Sequence, residues 1–88
     1  MSELSRFYGM VISILFSDNK KHHKSHVHVK YAEYEASIAL DGELLSGSMP
    51  SKQLKLIQAW LAIHEEELHE AWNNAVRNNP VNKIEPLQ

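Results

Sequence analysis

Cysteine is absent from the 88-residue chain, which excludes a disulfide framework, a thiolate zinc site, an iron–sulfur cluster and a cysteine nucleophile. Small secreted domains are commonly stapled by such groups, so a reducing cytoplasm is the expected location. Long apolar runs are missing too. The longest, Met10 to Phe16 with Ser13 inside it, is far short of the roughly 20 residues that a membrane-spanning helix needs. Glu3 and Arg6 precede it and no small-residue cleavage pattern follows, which argues against a signal peptide. There is no GxGxxG, no phosphate-binding GxxxxGKS/T loop, no GxSxG and no EF-hand loop, so no cofactor is expected. Glycine and proline number three each, and no low-complexity tract or internal repeat is visible. Nor is there an excess of positive charge: the formal charge is −2, with five Lys/Arg against three acids in residues 1–34 and four against eight in 35–88. A strong non-specific nucleic-acid binder is more basic than this. The amino-terminal half keeps enough cations for a local phosphate site.

What is present, 43% hydrophobic and 23% charged residues, is the composition of an ordinary globule, and the length predicts one domain over residues 1–88. A chain this short buries only about 60–65% of its unfolded surface, so each apolar stripe is needed for packing or for an oligomer interface. Residues 9–17 read as a strand, with Met10, Ile12, Ile14 and Phe16 on one side and Val11, Ser13 and Leu15 on the other. The polar stretch 18–25 reads as an exposed loop. Strict alternation over 26–31 puts Val27, Val29 and Tyr31 on one face and His26, His28 and Lys30 on the other. A strand over 34–40 follows. An Ala32-Glu33 turn would oppose Tyr31 to Tyr34, Val29 to Ala36, Val27 to Ile38, Lys30 to Glu35 and His28 to Ser37. The turn is the weak point, because neither residue favours positive φ. Asp41-Gly42 signals a second hairpin into a strand over 43–48, opposing Ile38 to Leu45.

Ser51 is a candidate N-cap, and no Gly or Pro interrupts the chain from Lys52 to Asn79. Leu54, Ile57, Leu61, His64, Leu68, Ala71 or Trp72, and Ala75 recur at three and four, which predicts one long helix over 51–78. Leu56, Trp60 and Ile63 widen its apolar arc beyond what one sheet face requires, and mark a candidate interface for the tail or a second protomer. The tail 80–88 is held extended by its prolines and is expected to dock through Ile84 and Leu87. The expected fold is α+β: a four-stranded, mainly antiparallel sheet packed against one long carboxy-terminal helix, with an extended tail.

His26 and His28 carry the sharpest chemical signal. Residues i and i+2 on a strand project to one side about 6.5–7 Å apart, close enough to chelate one metal ion. A metal site needs a third ligand, from His22, His23, Glu35 or the helix. Acid–base chemistry is the second reading. A metal-independent nuclease needs a group to deprotonate the attacking hydroxyl, one to protonate the leaving oxygen and a cation at the phosphoryl charge. His26 and His28 with Lys30, and Arg6 with Tyr8, supply those types. A solvated polar strand face is the plain alternative. His64 and His69 are five apart, about 140° around a helix, and fail the zinc-protease pattern. Lys20 to Lys24 needs no partner beyond water, and Trp60 and Trp72, twelve apart, read as core or interface.

Taken together, Ser5-Arg6-Phe7-Tyr8-Gly9, His26-Val27-His28, Tyr31, Glu33-Tyr34-Glu35-Ala36 and Lys83-Ile84-Glu85-Pro86-Leu87 resemble the small bacterial family known as domain of unknown function 4160. Members more often carry Pro-His-Phe-His and Tyr-Gly-Glu-Tyr. Here Ser25, Val27 and Ala32 replace the proline, phenylalanine and glycine. The resemblance implies no agreed activity and no proven catalytic residue. It does imply a component of a toxin–antitoxin-type gene pair, hence a cognate small protein partner. The expected function is therefore a toxin–antitoxin-like component acting on RNA through His26 and His28, with Arg6, Tyr8 and Lys30 in support. A non-catalytic interaction or regulatory module, with a second copy as one of its partners, is the alternative, and metal binding by His26 and His28 is the third reading.

Overall fold

The computed structural model describes residues 2–14 and 24–87. Among the described residues, five antiparallel strands form a meander in the order β1 (Ser2–Phe7), β2 (Met10–Ile14), β3 (His26–Tyr31), β4 (Tyr34–Ala39) and β5 (Leu44–Gly47). Two helices follow, α1 (Ser51–Ile63) and α2 (Glu65–Val76). This corrects the expectation of four strands and one long helix on both counts.

The extra strand, β1, hides its pattern behind a bulge. Its register against β2 slips between Glu3 and Ser5, so Leu4 and Phe7 both reach the core although they are three apart and break the period of two. Tyr8 and Gly9 close the hairpin, each with positive φ (49° and 79°), as a type I′ turn demands. The long helix breaks at His64, whose backbone (φ −108°, ψ 27°) leaves the helical region. Its amide still closes α1 on the Trp60 carbonyl (3.0 Å), and its carbonyl accepts from Leu68 (2.9 Å) to open α2. Glu65, Glu66 and Glu67 fill the first turn of α2, where carboxylates meet the positive end of the helix dipole, and His64 Nδ1 donates to Glu67 Oε1 at 2.8 Å. Ser51 is not the cap of α1; Pro50 holds that position with no side-chain hydrogen bond.

The β3–β4 pairing has every opposed pair expected from the alternation, from Tyr31 with Tyr34 to Val27 with Ile38. The next hairpin differs: a bulge between Ser37 and Ile38 sets Ile38 against Leu44, not Leu45. One face of the sheet carries Met10, Ile12, Val27, Val29 and Ile38, which form a single apolar cluster with Ile57, Trp60, Leu61 and Leu68 of the helices.

The tail closes the β1 edge. Ile84 is buried, and its amide donates to the Leu4 carbonyl at 2.8 Å, while Trp60 Nε1 donates to the Glu85 carbonyl at 2.7 Å. Trp60, marked as part of a candidate interface for the tail or a second protomer, meets the tail and is a core residue with 0% exposure. Leu56 is half-buried against the same cluster, and Ile63 alone of the three is open to solvent, at 65%. Among the described residues, no helix is long and apolar enough to cross a membrane.

Ala32 sits at the first central position of the β3–β4 turn with φ 52°. An L-residue there costs about 1–2 kcal/mol relative to its right-handed form, a cost that glycine does not carry. Part of that gain is returned through the more flexible unfolded chain. Ala32→Gly is therefore expected to stabilise the protein by about 0.5–1 kcal/mol, raising a thermal midpoint by a few degrees. An unchanged or lowered midpoint would contradict the strain.

Candidate functional site on the open sheet face

The sheet face turned away from the apolar cluster is built from cross-strand rungs. Ser13 on β2 opposes His28 on β3, His28 opposes Ser37 on β4, and Ser37 opposes Ser46 on β5. His28 thus lies inside a line of three serines. The neighbouring rung runs Arg6, Val11, Lys30, Glu35. Both rungs border a cavity of about 460 Å³ lined by Val11, Ser13, His28, Lys30, Glu35 and Ser46, among others. That volume is in the range of small-ligand sites.

The two histidines are neighbours but not equivalent. Their ring centroids lie 5.4 Å apart. His28 is half-buried and lines the cavity. His26 is 1% exposed, and its ring packs 5.1 Å from that of Trp72 on α2. Its Nδ1 lies 2.8 Å from the Lys24 carbonyl oxygen. A carbonyl only accepts, so Nδ1 carries the proton of that bond. The expectation that both imidazoles emerge together on the solvent side holds for His28 and not for His26, because Trp72 covers the start of β3.

The carbonyl that holds His26 is itself fixed. Lys24 Nζ meets Asp41 Oδ2 at 2.7 Å and Glu43 Oε1 at 2.6 Å, and the Leu40 amide donates to the Ser25 carbonyl at 3.1 Å. The hydrogen bonds to Asp41 and Glu43 raise the Lys24 pKa above the ordinary lysine value, and Lys24 in turn lowers that of Asp41. Lys24 therefore belongs to the β4–β5 turn. Residues 18–23 of the expected polar loop, His22 and His23 included, lie outside the described residues.

The supporting groups divide. Lys30 Nζ stands 3.8 Å from Glu35 Oε1, a solvent-screened pair with side chains 69% and 73% exposed, so both reach the cavity rim. Arg6 shares the second rung but sits on the edge strand, and its Nε donates to Glu3 Oε2 at 2.9 Å. That bond raises the Arg6 pKa and lowers that of Glu3. Tyr8 is exposed at the β1–β2 turn, edge-on to Phe7, and does not line the cavity. The structure thus brings together His28 and Lys30 and leaves His26, Arg6 and Tyr8 outside. Among the described residues, no group of three or more His, Cys, Asp or Glu is placed to hold a metal ion.

Sequence reasoning passed over Ser13 and Ser46 as site residues, and considered Glu35 only as a metal ligand. Carrying the register through all four strands would have placed them beside His28.

The sequence profile of the family described as "Domain of unknown function (DUF4160)" matches residues 9–73. The match contains both histidines, all three serines, Lys30 and Glu35, and leaves Arg6, Tyr8 and the docking tail outside. No curated protein and no solved structure matches the chain.

Proposed function

The chain belongs to the DUF4160 family, and we propose from the geometry of its open sheet face that it is a bacterial toxin–antitoxin-like component that acts on RNA, with His28 as its acid–base group. The observation that carries this is the placement of His28 between Ser13 and Ser37 on a cavity that Lys30 also lines. An imidazole supplies proton transfer, a lysine supplies charge at a phosphoryl group, and the exposed Ser46 hydroxyl can donate to a phosphate oxygen. A protein of net charge −2 holds such a substrate by local contacts more than by its overall field. His26 is a positioning residue in this reading, tying the start of β3 to the Lys24 carbonyl.

A non-catalytic interaction module is the second reading, favoured by the burial of His26, which removes one of the two imidazoles from reach of a substrate. Induction in bacteria separates the two. The wild-type chain is expected to arrest growth, and the arrest is expected to be relieved both by co-expressing the product of its neighbouring gene and by His28→Ala. Absence of arrest, or arrest indifferent to His28→Ala, would leave the interaction reading standing and overturn the catalytic one.

A further inference from the structure

Transfer of a phosphoryl group within RNA, without a metal, needs two proton-transfer groups, and among the described residues one imidazole lines the cavity. His26 cannot serve as the other: it is 1% exposed, with Nδ1 bound to the Lys24 carbonyl and its ring against Trp72. Among the described residues, the titratable side chains that do line the cavity are His28, Lys30 and Glu35. Lys30 and Glu35 are directly opposed across β3 and β4, and His28 opposes Ser37 one same-face step along. His28 and Glu35 are therefore diagonal neighbours, about 7–8 Å apart at the backbone. A phosphodiester laid across that diagonal would meet the imidazole on one side and the carboxylate on the other.

Resting on the proposed action on RNA, we infer that Glu35 is the second catalytic residue, the general base, with His28 as general acid and Lys30 as the cation. The Glu35 carboxylate takes the proton of a ribose 2′-hydroxyl, and O2′ bonds to the adjacent phosphorus. The bond from phosphorus to the 5′-oxygen breaks, and protonated His28 gives its proton to that oxygen. The products are a 2′,3′-cyclic phosphate and a 5′-hydroxyl, and water restores both protonation states. Lys30 stands beside Glu35 in the resting protein and, in this proposal, opposes the phosphate charge in the complex, which lets a carboxylate sit beside an anionic substrate.

The test uses the purified full chain with a short single-stranded RNA, and with the same RNA carrying sulfur in place of the bridging 5′-oxygen at one linkage. A thiolate leaves without being protonated, so this second substrate needs no general acid. Glu35→Gln and His28→Ala are each expected to slow cleavage of the ordinary RNA by about 10²–10⁴-fold. On the sulfur substrate, His28→Ala is expected to regain most of its rate, whereas Glu35→Gln stays slow. A structural role for Glu35 would not produce that split, and a thermal melt of each variant confirms folding. Wild-type and Glu35→Gln rates within a few-fold of each other, with His28→Ala inactive, would overturn the role of Glu35 and leave the RNA reading intact. No cyclic-phosphate product from the wild type would overturn both.

Discussion

Replacing Trp60 by alanine is expected to destabilise the protein by about 3–5 kcal/mol, as large-to-small changes at fully buried aromatic positions do. The side chain has 0% exposure and packs 5.4 Å from the Phe7 ring on β1 and 5.5 Å from the His64 ring at the helix break. Its Nε1 also donates to the Glu85 carbonyl, so one residue ties together β1, the helices and the tail. Small domains are stable by only about 5–15 kcal/mol, and this loss removes a large share of it. Urea denaturation followed by far-ultraviolet circular dichroism would show a lower midpoint with little change in slope. A loss under about 1 kcal/mol is the value expected of a surface residue, and would contradict the place of Trp60 in the core.

Gly47→Ala is expected to cost about 2–4 kcal/mol, far more than the loss of one exposed glycine in an edge strand. Gly47 has φ 81°, where an L-residue alone costs about 1–2 kcal/mol. A Cβ there would also overlap the Glu35 carbonyl oxygen and come within 2.9 Å of the Ala36 Cα, both backbone positions that cannot swing aside. The end of β5 must then lift off β4, and Ser46 leaves its place opposite Ser37. Gly42→Ala is the control. It also has positive φ, but its added methyl meets only the flexible Gln58 side chain at 3.3 Å. Thermal melts should rank wild type, Gly42→Ala and Gly47→Ala in falling order. Equal midpoints for the two variants would mean that Gly47 does not hold β5 to the sheet.

These two positions also mark where the sequence was legible. The β3–β4 hairpin could be read because its apolar and polar residues alternate without a fault and its opposed charges, Lys30 and Glu35, agree with the same register. The strand β1 could not, since its bulge brings Leu4 and Phe7 to the core three apart, an interval that breaks the strand period of two and belongs to a helix. The helix break was masked because the apolar stripe continues through His64 to Leu68 with no glycine or proline between. The available signal was the three consecutive glutamates after His64, which suit the start of a helix better than its middle. For the site, the face that carries His28 and Lys30 followed from alternation alone. The burial of His26 did not, because Trp72 lies 46 positions further along the chain (72 − 26) and only tertiary packing brings the two rings to 5.1 Å. The serine rung depends on three pairings at once, of which the expected Ile38–Leu45 register already implies Ser37 with Ser46; the bulge moves Ile38 to Leu44 and leaves that serine pair in place.

The central claim is that the open face around His28 is the working surface of the molecule. It is tested most directly by titrating isotope-labelled protein with a short single-stranded RNA and mapping amide and side-chain shifts by NMR. The account predicts changes gathered on Ser13, His28, Lys30, Glu35, Ser37 and Ser46, and much reduced in the His28→Ala protein. Changes gathered on α1 around Leu56 and Ile63, or no changes at saturating RNA, would contradict it.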